Sequence, residues 1–201
     1  TRMGGDTPKV LASLAGKPMI QHLIDTVDSF SSSKTSIVVG YKSNEVERDL
    51  VSQKKLRFVK QKNQLGTAHA VKQALPNIRK NSVAVVLYGD VPLVKKNTLN
   101  RLIKSASKGK LSLLTFIKDD PTGYGRIIRS SKKSIQKIIE HKDASSAEKE
   151  IREVNSGILA MKTSLLQQFI SKIKNNNAAK EYYLTDLVEI ANNHSVDVVA
   201  T

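Results

Sequence analysis

The stretch VAVVLYGDVPL, residues 83–93, decides the fold of this chain. Its first half is a run of apolar, mostly β-branched residues, which predicts a buried strand over residues 83–88. Gly89 and Asp90 then lead into a turn before Pro92. Ligands of open α/β sheets bind beyond the carboxyl ends of the strands, so Asp90 stands at a candidate site.

Strands and helices alternate outward from this stretch. The apolar runs predict strands over residues 36–41, 56–59, 111–116, 126–128, 135–140, 158–161 and 196–200. The amphipathic periods predict helices over residues 20–30, 45–51, 66–75, 97–107, 164–173 and 184–192. This order predicts an α/β fold, with a mostly parallel sheet flanked by helices and an α+β elaboration after Asp120.

Composition excludes several classes of protein. The 201 residues contain no cysteine, which excludes disulfide scaffolds, thiolate zinc sites and cysteine nucleophiles. No apolar window is long enough to cross a bilayer and no signal peptide is visible, so we expect a cytoplasmic chain without a membrane partner. The net charge of +15 allows a basic nucleic-acid-binding module as an alternative. The basic residues are scattered, however, and only nine residues are aromatic, so we expect no nucleic-acid partner.

Three residue patterns suggest the binding of a metal ion or an anion, and each also has a simpler explanation. Asp90 suits a hard cation such as Mg²⁺, or it only begins the turn before Pro92. Thr67, after Gly66, opens a helix whose N–H groups favour an anion or a base carbonyl, or it simply caps that helix. Arg2 and Lys9 suit a polyphosphate, although cations are common in this chain. The four histidines show no metal-ligand spacing.

Nine segments together resemble a known family, and the resemblance covers nearly the whole chain. They are Thr1-Arg2-Met3, Pro8-Lys9-Val10-Leu11, Leu14-Ala15-Gly16-Lys17-Pro18-Met19, Gln64-Leu65-Gly66-Thr67-Ala68-His69-Ala70, Leu87-Tyr88-Gly89-Asp90-Val91-Pro92-Leu93, Asp119-Asp120-Pro121-Thr122-Gly123-Tyr124-Gly125-Arg126-Ile127, Ile139-Glu140-His141-Lys142-Asp143-Ala144, Glu153-Val154-Asn155-Ser156-Gly157-Ile158 and Glu181-Tyr182-Tyr183-Leu184-Thr185-Asp186. The chain resembles the uridylyltransferase domain of the bacterial bifunctional UDP-N-acetylglucosamine pyrophosphorylase / glucosamine-1-phosphate N-acetyltransferase.

The resemblance implies a Rossmann-like nucleotidyltransferase (GT-A-like) fold and a Mg²⁺-dependent reaction. UTP and N-acetylglucosamine 1-phosphate would give UDP-N-acetylglucosamine and pyrophosphate, a step towards cell-wall precursors. Arg2 and Lys9 would be the catalytic cations, with Arg2 on the leaving pyrophosphate and Lys9 on the phosphates. Gln61, Gly66 and Thr67 would hold the uracil.

The remaining implied site residues lie on the nucleotide and sugar side. Tyr88, Gly89 and Asp90 would line the nucleotide and sugar site, with Asp90 on Mg²⁺. The amino sugar and ribose would be bound by Gly125, Glu140 and Asn155. The sugar pocket would be closed by Tyr183 and Thr185.

The chain also departs from the family pattern. The family has an apolar strand and a Leu-Ala-Ala-Gly-Lys-Gly-like loop before Thr1, and its second Mg²⁺ ligand, an Asn, comes after Thr201. We therefore expect residues 1–201 to be a single uridylyltransferase domain that lacks the N-terminal strand and signature loop. The acetyltransferase β-helix, through which the family's enzymes trimerise, would also be absent. Such a chain would be a monomer that is weakly active or inactive on its own.

Two alternatives remain besides a nucleic-acid-binding module. The chain could be a related nucleotidyltransferase for another sugar 1-phosphate or base, since substrate choice depends on few contacts. It could also be a non-catalytic relative that binds the nucleotide sugar as a sensor. A nucleotide-sugar glycosyltransferase would usually show a paired Asp-x-Asp at the strand end, and Asp90-Val91-Pro92 lacks the second Asp.

Overall fold

The computed structural model describes residues 7–31, 33–50 and 56–201. The helices of these residues, in chain order, are α1 (Met19–Asp28), α2 (Ser43–Leu50), α3 (Thr67–Ala74), α4 (Lys96–Ser107), α5 (Ser146–Lys149), α6 (Thr163–Ile170) and α7 (Leu187–Asn193). Each predicted helix is present, and most bounds differ by only one to three residues. Pro76 ends α3 as expected, since a single 3-10 turn over Leu75–Asn77 follows it.

Eight of the ten strands in the described residues follow the predicted order, with one large difference in length, whereas the two-residue strands β1 and β2 were not predicted. They are β1 (Ser13–Leu14), β2 (Lys17–Pro18), β3 (Thr35–Val39), β4 (Leu56–Lys60), β5 (Val83–Val86), β6 (Leu111–Ile117), β7 (Arg126–Arg129), β8 (Ile135–Ile139), β9 (Glu153–Lys162) and β10 (Val198–Ala200). The sequence predicts only residues 158–161 of β9, because Asn155 and Gly157 are typical of turns. Here they form a bulge within a ten-residue strand.

The six-stranded sheet is mixed, which refines the expectation of a mostly parallel sheet. Its strand order is β10-β6-β9-β7-β8, and β5 also pairs with β9. β5, β6 and β7 are all antiparallel to β9, and β10 is parallel to β6, so four of the six strands share one direction. Most hydrogen-bonded neighbours are nevertheless antiparallel, because the reversed strand β9 lies at the centre. The Rossmann-like, helix-flanked architecture is confirmed.

Helices cover both faces of this sheet, and side chains that alternate in direction along β9 pack against helices on each face. Leu159 and Met161 of β9 pack in the cluster that contains α6 and α7, whereas Ile158 and Ala160 pack against α4. Because successive side chains of a strand point to opposite faces, these helices lie on opposite sides of the sheet. The two clusters form the core and hold β9 rigidly at its centre.

β3 and β4 form a separate parallel pair that packs against α1 and α2. A broad, mainly apolar groove of about 920 Å³ lies between β3 and β5 and reaches the end of β5 at Tyr88 and Gly89. Among the described residues, β3 pairs only with β4 and β5 only with β9, so one edge of each strand faces the groove without a partner. No helix of the described residues is long and apolar enough to cross a membrane.

Candidate active site

The turn after β5 forms the first wall of the site. The amide of Val91 donates to the carbonyl of Tyr88 at 3.0 Å, which closes a tight turn around Gly89 and Asp90. β5 ends at Val86, two residues before the predicted end. Its pairing with β9 stops there because the bulge in β9 begins at the next position.

A cation from the N-terminal segment meets this turn. The Nζ of Lys9 donates to the Oδ2 of Asp90 at 2.6 Å, and both side chains are partly exposed. A Cβ at Gly89 would lie 3.0 Å from Val10 Cγ1, so glycine lets the segment that carries Lys9 approach the turn closely. Arg2, the other predicted catalytic cation, lies outside the described residues.

The carboxylate of Asp90 fits a metal that is shared with a substrate. No group of three Asp, Glu or His side chains able to hold a metal occurs in the described ranges. A complete protein cage is therefore not formed by those residues. Mg²⁺ usually takes only one or two protein carboxylates together with phosphate oxygens, and one exposed carboxylate beside a lysine meets that requirement. Asp90 is the residue of this turn that would hold such an ion.

The predicted base-binding residues come together at the start of α3. Gln61 follows β4, and its backbone amide donates to Val39 O at 2.8 Å. Its side-chain Nε2 donates to Gly66 O at 3.1 Å and lies 2.9 Å from His69 Nδ1. His69 is a neighbour that the sequence did not single out.

Gly66 and Thr67 are packed against a distant segment. Gly66 has a φ of +108°, and a Cβ there would lie 2.6 Å from Tyr182 O, so only glycine fits. The Oγ1 of Thr67 accepts from the amide of Leu184 at 3.0 Å. Thr67 is therefore not the helix cap that one interpretation of the sequence expects: Gly66 is the N-cap residue, and the threonine side chain instead holds the chain around Leu184.

Tyr88 connects the phosphate side to the sugar side of the site. Its hydroxyl is hydrogen-bonded to Thr67, burial raises the pKa of this hydroxyl, and the charges of Glu140 and Asp90 act in the same direction. Its ring covers Gly157, where a Cβ would lie 2.5 Å from Tyr88 Cε2. With a φ of +85°, Gly157 is suited to this position on two independent grounds.

The bulge of β9 carries the next predicted residue, Asn155. The side-chain Oδ1 of Asn155 accepts from the amide of Gly157 at 3.1 Å, and its backbone amide donates to Gly125 O at 2.9 Å. The bulge is further held by Ser156 Oγ, which donates to Leu114 O at 2.7 Å. These bonds fix Asn155 next to Gly125, in the wall of a small cavity that Tyr88 also lines.

Thr185 also lines this cavity, and its side chain holds Glu140 beside it. Thr185 Oγ1 donates to Glu140 Oε1 at 3.0 Å, and burial raises the pKa of the Glu140 carboxyl. A Cβ at Gly125 would lie 3.4 Å from both carboxylate oxygens of Glu140 and 2.9 Å from Ile138 Cγ2. Gly125 therefore leaves the space in which the carboxylate sits.

A buried arginine fixes the loop that carries Gly125. Arg126 is 1% exposed, and its guanidinium donates to Lys149 O at 3.1 Å and to Tyr124 O. Its Nη2 also lies 3.3 Å from His141 Nδ1, next to Glu140 in the chain. One side chain thus joins the Gly125 loop to the loop after β8.

Tyr183 has a different environment from the other predicted residues. Its hydroxyl is hydrogen-bonded to Asp143, and burial together with nearby carboxylates raises its pKa to about 12. It is not among the residues that line the small cavity, whereas the neighbouring Thr185 is. Burial, followed by the charges of Glu189 and Glu140, raises the pKa of Asp186 to about 6.

The groove and the small cavity share Tyr88 and Leu184, and the predicted residues that line one or the other are Lys9, Thr67, Tyr88, Gly89, Asn155 and Thr185. Hydrogen bonds place Asp90 beside Lys9 and Glu140 beside Thr185. The sequence missed residues that position others. Gly157, Leu184 and Asp143 lie within the quoted motifs, so the motifs contain them without indicating what they contact. Arg126 could have been noticed as a basic residue within an apolar strand pattern.

Comparisons with known proteins concern the family and the fold of the chain. The family profile of the MobA-like NTP transferase domain matches residues 1–154. "Bifunctional protein GlmU" of Bordetella petrii is 49% identical over 193 residues, which cover 94% of this chain and 42% of the relative. The protein of the same name from Cupriavidus necator is 47% identical over 199 residues, which cover 99% of this chain and 44% of the relative.

These relatives are longer than this chain, which spans less than half of their length. Among solved structures, a UDP-glucose pyrophosphorylase complexed with UDP-glucose is similar in fold. The TM-score is 0.74 at 17% identity, over 96% of this chain and 81% of that one.

Proposed function

The chain belongs to the MobA-like NTP transferase family, and from this premise we propose that it transfers a uridylyl group from UTP to N-acetylglucosamine 1-phosphate. The products are UDP-N-acetylglucosamine and pyrophosphate. The resemblance to the bifunctional relatives is confirmed, and so is the assignment as a nucleotidyltransferase. A nucleotide and a sugar phosphate are its proposed substrates.

The observation that carries the proposal is the position of Tyr88. One side of this residue continues into the turn with Asp90, where Lys9 supplies a positive charge. The other side covers Gly157 and lines the small cavity with Thr185, whose hydroxyl donates to Glu140. A nucleotide phosphate at Asp90 and a sugar at Glu140 would therefore be neighbours, as a transfer between them requires.

The chemical roles follow from the residue types. An oxygen of the sugar phosphate attacks the α-phosphorus of UTP, the new P–O bond forms, and the bond from the α-phosphorus to the bridging oxygen of pyrophosphate breaks. No covalent enzyme intermediate is needed. Both reactants are anions, so Lys9, together with Arg2, stabilises the negative charge that develops on the leaving pyrophosphate.

The divalent metal of this family is proposed to be Mg²⁺. Asp90 would hold it together with phosphate oxygens, and the ion would neutralise charge between the two anionic substrates. Lys9 is paired with Asp90 at 2.6 Å, and an exposed pair of this kind contributes only about 0–1 kcal/mol to stability. A triphosphate therefore displaces the pair at small cost and becomes the partner of Lys9.

The residues around Glu140 contact the hydroxyl groups and the N-acetyl group of the sugar. The Glu140 carboxylate accepts hydrogen bonds from sugar hydroxyls. Asn155, on the bulge of β9, contacts the N-acetyl group or the ribose. Tyr183 and Thr185 close this side, with Thr185 holding Glu140 in place at 3.0 Å. Side chains that accept and donate hydrogen bonds suit the uncharged polar groups of a sugar.

Residues 1–201 are proposed to form one uridylyltransferase domain that is monomeric and works in the cytoplasm. The groove between β3 and β5 is proposed to take an extended apolar strand. This is supported by the two strand edges that face the groove and by its volume of about 920 Å³.

Pyrophosphate release is the direct test. The 201-residue chain is assayed with UTP, N-acetylglucosamine 1-phosphate and Mg²⁺, alongside the same chain fused to the segments that flank the matched region in the Bordetella petrii relative. Release that requires both substrates and the metal in the fused protein supports the proposal. Glucose 1-phosphate and CTP serve as competing substrates, and a preference for either would contradict it. Binding of UDP-N-acetylglucosamine without any release would indicate a sensor instead.

A further inference from the structure

His69 lies between two amide side chains. On the first turn of α3, its ring Nδ1 lies 2.9 Å from Gln61 Nε2 and its Nε2 lies 3.2 Å from Gln73 Nε2. Both ring nitrogens thus face an amide group, and the ring is partly buried. This arrangement limits which ring nitrogen of His69 carries the proton and how each glutamine amide is oriented.

The proton positions follow from a third contact. The carbonyl of Gly66 can only accept, and it lies 3.1 Å from Gln61 Nε2. The amide nitrogen of Gln61 must therefore face inward, so the Nδ1 of His69 is the acceptor of its second N–H. A neutral imidazole has one donor and one acceptor, so Nε2 carries the proton. The Gln73 amide is therefore assigned in the reversed orientation, with its oxygen rather than its nitrogen toward His69 Nε2.

Both N–H groups of Gln61 are consequently engaged by the protein. Within residues 7–31, 33–50 and 56–201, no group donates a hydrogen bond to the side-chain oxygen of Gln61. What Gln61 can offer to a bound base is therefore an acceptor. Uracil carries a donor at N3, whereas cytosine carries an acceptor there, so a fixed acceptor favours uracil.

We propose that His69 is a positioning residue that fixes the amide of Gln61 with its oxygen available to the base, and thereby makes the site select uridine over cytidine nucleotides. The inference rests on the proposed function, in which Gln61 faces the base. Without an acceptor at Nδ1, one N–H of Gln61 loses its partner and the amide turns more readily. The reversed amide presents N–H to the base and suits cytosine.

Two variants of matched size separate this role from a structural one. The Oδ1 of asparagine occupies a position close to Nδ1, so His69→Asn retains the acceptor. The amide of glutamine reaches the position of Nε2 instead, so His69→Gln removes the acceptor from Gln61. Gln is also a good helix former, which keeps α3 intact. His194→Gln, at the residue directly after α7 and outside the site, is the control.

The measured quantity is the ratio of kcat/KM for UTP to kcat/KM for CTP at saturating N-acetylglucosamine 1-phosphate. We expect His69→Gln to lower this ratio about tenfold, because a hydrogen bond that fixes a partly buried amide is lost while the Gly66 carbonyl still holds part of the orientation. His69→Asn and His194→Gln should stay within about twofold to threefold of the parent protein. The KM for the sugar phosphate should not change.

Three results would overturn the inference: an unchanged ratio in His69→Gln, equal losses for UTP and CTP, or an equal effect of His69→Asn. If the parent protein binds uridine nucleotides without turnover, the proposed reaction fails, and the same comparison is made with the dissociation constants of UMP and CMP. If the parent protein binds neither nucleotide, the proposed function and this inference both fail.

Discussion

Lys9 and Asp90, 81 positions apart in the chain, form a hydrogen-bonded ion pair of 2.6 Å at the end of β5. A second pair of similar length, Lys17 and Asp25 at 2.9 Å, lies nearby in the chain but outside the site. Both pairs are partly exposed and contribute little to stability. The difference between them is position, since only Asp90 stands at the carboxyl end of a strand of the central sheet.

Asp90→Asn should lower Mg²⁺-dependent pyrophosphate release by at least about a hundredfold, because the carboxylate that would hold the metal is lost. The melting temperature should change little, because the pair with Lys9 is exposed. Asp25→Asn, which breaks the pair with Lys17, is the matched control and should leave activity unchanged. Similar activities of the two variants would remove Asp90 from the site.

Glu140→Gln should raise the KM for N-acetylglucosamine 1-phosphate about tenfold or more, since a charged acceptor of sugar hydroxyls becomes neutral. The KM for UTP should stay within about twofold, because the base and the phosphates are bound elsewhere. Glutamine can still accept from Thr185, so the fold of the pocket is retained. Steady-state kinetics with each substrate varied in turn give the answer. Glu189→Gln, an exposed change on α7, is the control. An equal rise in both KM values would mean that Glu140 is not a sugar ligand.

Gly157→Ala should reduce both stability and activity. The new Cβ would meet the ring of Tyr88 at 2.5 Å, and the φ of +85° adds about 1–3 kcal/mol of backbone strain. Gly109→Ala has a similar φ of +90° with no atom within 4 Å of the new Cβ, so it reports strain alone.

The difference between the two glycine variants therefore isolates the contact with Tyr88. Thermal unfolding should show a larger loss for Gly157→Ala than for Gly109→Ala, and only Gly157→Ala should lose activity. Equal losses of stability with full activity in both would show that the position of Tyr88 does not matter for the reaction.

Asp186→Asn should stabilise the protein at pH 7.5 but not at pH 4. Burial raises the pKa of Asp186 to about 6 from its ordinary value of 3.8, so the folded state holds its proton more tightly than the unfolded state does. Stability associated with this group is thus present below pH 4 and is lost as the pH rises through about 6. Asparagine removes this loss, because it stays neutral at every pH.

Melting temperatures at the two pH values check this expectation. Asp197→Asn, on an exposed side chain paired with Lys110, provides the control. A gain in melting temperature that is the same at both pH values would contradict the assignment of a raised pKa to Asp186.

The sequence by itself determined the local structure and the chemistry of the residues. Apolar runs placed the strands, the helical period placed the helices, and both are local properties of neighbouring side chains. The Gly-Asp turn after the run at residues 83–88 also indicated where an anionic substrate and a metal would bind. The resemblance of the motifs then supplied the substrates that we propose.

Only the tertiary structure decided how these pieces meet. Residues 153–162 form one continuous strand, longer than predicted, because the bulge at residues 155–157 is held by contacts with Leu114, Gly125 and Tyr88, all distant in the chain. The same is true of Leu184, whose amide reaches Thr67 across 117 positions. Such contacts depend on which edges and cavities the rest of the chain leaves open. The pattern of neighbouring residues does not specify these long-range contacts. The fold class was therefore predictable from the sequence, whereas the positioning of the site residues was not.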